Sequence, residues 1–105
     1  MQTEAQRIAR TILDQMGGMN RIIAMTGAKD FVVLDSGVSF SFKMIAGINK
    51  VIVRLTPADL YDIEFGSMRK KDGIPTYTRR NLCEGVYAES LKKIFEKETG
   101  LFLSL

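Results

Sequence analysis

The stretch Val38-Ser39-Phe40-Ser41-Phe42-Lys43-Met44 decides the fold. Apolar side chains occupy every second position and polar ones the positions between, which is the period of a pleated strand with one greasy and one wet face. A helix would space its apolar residues by three and four, so the segment reads as a half-buried strand. Such a strand is not stable alone. It needs neighbours to complete a sheet and another layer to cover its apolar side.

The neighbours lie on both sides. Toward the C-terminus, Ala46-Gly47-Ile48-Asn49 reads as a loop, and Lys50–Leu55 as a strand with Val51, Val53 and Leu55 inward. Pro57 ends it, because proline cannot donate to a ladder. Tyr61, Ile63 and Phe65 alternate with Asp62 and Glu64 in a fourth strand that runs on toward Lys70. Asp72-Gly73 is the strongest hairpin signal in the chain and turns Ile74–Arg80 back as a fifth strand, with Pro75 marking it as an edge. Toward the N-terminus, Phe31–Leu34 is apolar and β-prone and is joined through the turn residues Asp35-Ser36-Gly37.

Helices flank this region. Thr3 and Gln6 have the spacing of a capping box, and Ala5, Ile8, Ala9, Ile12 and Met16 then form one apolar stripe that Gly17-Gly18 ends. A short second helix is expected from Asn20 as N-cap to Gly27. At the other end, Val86 to Thr99 reads as a helix burying Tyr87, Leu91, Ile94 and Phe95, capped by Gly100. The expected architecture is a single α+β domain over residues 1–105: an N-terminal helix plus a short helix, an antiparallel four- or five-stranded meander, and a C-terminal helix packed on one face.

Composition narrows the functions. Apolar residues make up 46% of the 105 and charged ones 26%, the balance of a folded domain. The chain has one cysteine, Cys83, and no histidine, so an internal disulfide is impossible and the usual zinc sites lack their ligands. The start from Met1 to Arg10 is polar and mixed in charge, unlike a secretion signal, and no apolar run approaches the length of a membrane span. The expectation is a cytoplasmic protein without membrane contact. The net charge is +3, and its excess is local: Met68 to Leu82 carries +4, leaving −1 for the remainder. A concentrated excess of this kind creates a positive field.

Three features bear on chemistry. The first is that basic hairpin, in which Arg69, Lys70, Lys71, Arg79 and Arg80 accompany Tyr77. Cations meet phosphates and aromatic rings stack on bases, so these residues are candidates for nucleic-acid binding. The competing reading is a hairpin tip kept soluble, since charged residues also protect edge strands. The second feature is Asp62 and Glu64, two carboxylates on one face of a strand, a spacing from which Mg²⁺ can be held; the plainer reading pairs them with Arg54 or Lys43 across the sheet. The third is the apolar tail Leu101, Phe102, Leu103 and Leu105, which docks either on the chain's own core or on a second copy. Cys83 lacks a histidine to activate it and reads as a small packed residue. Gly17-Gly18 follows a helix and lacks the Lys-Ser/Thr of a phosphate loop. No catalytic residue, metal ligand or cofactor is assigned.

Four segments taken together carry a resemblance: Met25-Thr26-Gly27-Ala28-Lys29 with Gly17-Gly18, Leu55–Phe65, Glu84–Glu89, and the ending Thr99–Leu105. Over nearly its whole length the chain resembles a group of short uncharacterised proteins of bacteriophages, prophages and integrated mobile elements. The resemblance implies an accessory role in a bacterial or phage-infected cytoplasm and supplies no activity or site residues. The leading functional expectation is a non-enzymatic accessory protein that binds a protein partner or a second copy of itself, using the tail and an open strand edge at Phe31–Leu34. Nucleic-acid binding by the basic hairpin is the alternative, and a Mg²⁺-dependent hydrolase stands third.

Overall fold

The computed structural model describes residues 2–103. Two helices come first, α1 (Glu4–Gln15) and α2 (Met19–Thr26). Five strands follow: β1 (Lys29–Leu34), β2 (Gly37–Ile45), β3 (Ile48–Leu55), β4 (Tyr61–Lys71) and β5 (Ile74–Val86). A 3₁₀ turn at Ala88–Ser90 leads into α3 (Leu91–Thr99). The strands pair in chain order as one antiparallel sheet, the α+β meander with terminal helices that the alternating pattern predicts.

Each boundary has a local cause. Thr3 accepts from the Gln6 amide at 3.1 Å while the Gln6 side chain accepts from the Thr3 amide at 3.0 Å, closing the capping box of α1. Gly18, not Asn20, precedes the first turn of α2. Ala46 and Gly47 both have positive φ and make a two-residue turn, so Ile48 and Asn49 belong to β3 and not to a loop. Asp72 and Gly73 do the same for the last hairpin. The largest departure from expectation is β5, which runs to Val86 because its second half returns to the sheet and pairs Cys83 with Ile63 and Val86 with Tyr61. The last helix therefore starts at Leu91, and Tyr87, expected in its buried stripe, is 62% exposed.

Register puts Val38, Phe40, Val51, Val53, Ile63 and Phe65 on one face of the sheet, where they are buried together with Ile12 and Met16 of α1, Ile22 of α2 and Leu91 and Phe95 of α3. Phe95 is the hub, with ring centroids 6.1 Å from Phe40, 5.4 Å from Phe42 and 6.3 Å from Phe65. Burying one such ring stabilises by about 1.5–3 kcal/mol, so this face carries most of the folding free energy. All the helices lie here. None of the described helices lies on the opposite face of the sheet, where the buried Ile52 stands outside the core cluster.

Candidate nucleic-acid interface

The helix-free face is read from the sheet register. Lys29 of β1 stands opposite Ser41 of β2, Ser41 opposite Lys50 of β3, Lys50 opposite Gly66 of β4, and Gly66 opposite Arg79 of β5. Directly opposed residues point to the same side, so one straight row crosses all five strands with cations on the first, third and fifth. Strands lie about 4.8 Å apart, which spaces successive cations of the row by about 10 Å at the backbone. Ser41, between Lys29 and Lys50, is short and leaves room for the long side chains on either side of it. Among the described residues none of Lys29, Lys50 and Arg79 forms an ion pair.

The carboxylates of this face are engaged. Asp62 accepts a hydrogen bond from the Gly85 amide at 3.1 Å. Glu64 accepts from the Tyr77 hydroxyl at 2.8 Å and faces the Arg54 guanidinium at 3.6 Å. The Arg54 contact is the cross-strand pairing expected from sequence, and its exposure makes it worth well under about 1 kcal/mol. Among the described residues no three of His, Cys, Asp and Glu come together as a metal-binding group.

Tyr77 lies across the row. To reach Glu64 its ring passes over Gly66, where a Cβ would sit 2.4 Å from the ring atoms, so only glycine admits the ring at this height. An aromatic ring laid on a sheet glycine replaces the cover the glycine lacks. The residue is half-buried, so part of it remains open to solvent. Burial first, then the hydrogen bond and charge of Glu64, hold the Tyr77 phenol well above its ordinary range, against the smaller opposing effect of Arg54 and Arg79.

No family model, curated protein or solved structure matches the chain. The site therefore rests on its own geometry.

That geometry divides the basic hairpin predicted from sequence. Lys70, Tyr77 and Arg79 follow the helix-free side, whereas Arg69 and Lys71 alternate to the helix side and Arg80 is the extra residue of a β-bulge; all five cations are exposed. The hairpin also projects. Pairing of β3 with β4 ends at Lys50 and Gly66, and one residue further the Asn49 side chain takes over, donating to the Met68 carbonyl at 2.9 Å and accepting from its amide at 2.7 Å. Past this clamp, β4 and β5 continue as a two-stranded arm for about 10 Å. Lys29, Lys50 and Gly66 belong to the site but were not marked by the sequence. The alternation of Lys50 with Val51 gives its face, but only register brings residues 29, 50 and 79 into line.

The other candidates are placed as follows. Leu103 is fully buried in the core, with its amide donating to Glu96 at 2.7 Å; Leu101 is half-buried and Phe102 is 66% exposed. Leu105 lies outside the described residues. Cys83 is half-buried on the helix side opposite Ile63, and burial, helped by Glu98, raises its pKa, so the thiol stays protonated near neutral pH. No described helix is long and apolar enough to cross a membrane.

Proposed function

We propose that the chain is a nucleic-acid-binding module whose contact surface is the helix-free face of the sheet together with the β4–β5 arm. The observation that carries this reading is the cross-sheet row of Lys29, Lys50 and Arg79, cations that form no ion pair among the described residues, on a face whose β4 carboxylates Asp62 and Glu64 are bonded to other partners. A row of one sign across a sheet makes a positive field that a polyanion neutralises with release of counterions. The arm extends this field through Lys70 and Lys71.

Fluorescence anisotropy of labelled DNA and RNA oligonucleotides, repeated from low to physiological salt, tests the reading. Three to five phosphate contacts give a slope of log K against log salt of about −2 to −4.5. Lys50→Ala and Arg79→Ala should each reduce that slope by about 1. Arg79 is exposed and Lys50 is half-buried without an ion-pair partner among the described residues, so thermal stability should change by no more than about 1 kcal/mol. Absence of binding at the lowest salt would end the proposal.

A second reading is favoured by a separate observation. β1 is an edge strand, and its Val32 and Val33 are 47% and 49% exposed, one on each face. Beside Val33, α1 and α2 leave an open groove lined by Ala9, Leu13 and Met19. An edge of this kind accepts a partner's strand. Sedimentation of the purified protein, with Val33→Lys as control, separates self-pairing through β1 from the nucleic-acid reading, because Val33 lies on the helix side whereas the cation row, which begins at Lys29 of β1, lies on the helix-free face.

A further inference from the structure

Resting on the nucleic-acid reading, we infer that the ligand is single-stranded and crosses the strands of the sheet, with one base stacked on the outer face of Tyr77 and the backbone phosphates on Lys50 and Arg79 to either side. The ring and the row together carry this. Tyr77 is not merely near the cations: its ring occupies the space above Gly66, which is the fourth place of the row, between Lys50 and Arg79. The ring is held in place by its close approach to Gly66 and by the Glu64 hydrogen bond at its far end. A ring pinned in this way pays no further ordering cost when a base settles on it.

Duplex nucleic acid cannot use this arrangement. Its bases are stacked on one another, and only its phosphates would meet the face, so the aromatic platform would stay unoccupied. Single strands offer every base as a stacking partner irrespective of sequence, with cations tracking the backbone. The row extends past the ring through Ser41 to Lys29, giving the strand a path of about 20 Å across the five strands. The expected recognition is therefore of single-stranded nucleic acid with little preference among bases.

The test compares an oligothymidine single strand, an oligouridine single strand, the oligothymidine–oligoadenosine duplex and polyglutamate as competitor. The wild-type protein should bind either single strand at least about tenfold more tightly than the duplex. Tyr77→Ala should weaken single-strand binding by about tenfold or more, while Tyr77→Phe, which keeps the ring and loses only the Glu64 bond, should stay within a few-fold of wild type. Tyr77→Leu covers Gly66 without a π-face and should behave like Tyr77→Ala, which keeps the comparison readable where the alanine variant folds poorly. Duplex affinity should not respond to any of the three. Equal affinity for duplex and single strand, or single-strand affinity indifferent to Tyr77→Leu, would overturn this inference and leave the broader nucleic-acid reading standing. Competition by polyglutamate as strong as by oligothymidine would overturn it in favour of an acidic protein partner. Failure of every nucleic acid to bind at low salt would remove the broader reading instead.

Discussion

Phe40 and Ser41 are adjacent in the chain and lie on opposite faces of one sheet. On the helix side, Phe40 stands opposite Val51, which stands opposite Phe65, and α3 closes over them with Phe95. On the other side, the neighbouring row passes through Ser41, Lys50 and Gly66, and none of the described helices comes to meet it. The two rows belong to one sheet and differ in what their side chains can do. The apolar row is satisfied within the chain. The cations of the other row form no ion pair among the described residues. The contrast runs by face and not by segment, so a substitution one residue along a strand should move a different measurement.

The largest effect should come from the helix side. Phe95→Ala empties the centre of the aromatic cluster and is expected to lower stability by about 3–5 kcal/mol in chemical denaturation. A domain of this size has total stability of about 5–15 kcal/mol, so the variant should lie near the edge of folding. A loss below about 1 kcal/mol would mean that α3 is not the lid of the core, and the contrast between faces would fail with it.

The same contrast explains how much of the molecule could be read from its sequence. The period of two over Val38–Met44 and over Tyr61–Phe65 gives strands and their inward residues directly, because the hydrophobic effect sorts the faces. The capping box at Thr3 and the Asp72-Gly73 turn are local chemistry and are equally legible. What is not legible depends on long-range pairing. Gly37 sits in a string that resembles a turn, yet it lies within β2, where an added Cβ would meet the Val53 carbonyl oxygen at 2.0 Å. Residues 81–86 look like the approach to a helix but extend β5, because the length of β4 gives them a partner. The candidate site was half visible for the same reason. Tyr77 and the hairpin cations are close in sequence, whereas Lys29 and Lys50 join them only through register.

Gly66 offers a sharper test of the helix-free face, with an intermediate effect. Ordinarily, alanine is preferred to glycine in a strand, by roughly 0.5–1 kcal/mol. Here the added Cβ would collide with the Tyr77 ring, and Gly66→Ala should instead destabilise by about 1 kcal/mol by displacing the ring and breaking its bond to Glu64. In a Tyr77→Ala background the collision is gone, and the same substitution should be neutral or stabilising. The sign reversal in this double-mutant cycle measures the ring–glycine contact itself. Additive effects would show that the ring does not rest on Gly66, and the stacking platform would go with it.

The smallest effect concerns a polar group of this face whose ionisation is tied to folding. The Tyr77 phenol is raised by burial first and then by its hydrogen bond to Glu64, so the folded protein holds the phenolic proton more tightly than the unfolded chain. A group with its folded value raised contributes stability that is fully present below the unfolded value of about 10 and is lost as pH rises through the folded one. Tyr61, raised by burial and by Asp59, acts in the same direction. Stability should therefore fall above about pH 10, and Tyr77→Phe should make that fall shallower. Because the ring is partly solvated, the change in slope should be a fraction of the roughly 1.4 kcal/mol per pH unit that one fully linked proton gives. Denaturant unfolding of the two proteins across alkaline pH reads it directly. Parallel curves would mean that Tyr77 ionises alike in both states, and the Glu64 bond that holds its ring in place would have no energetic weight. A base would then have to order the ring as it bound.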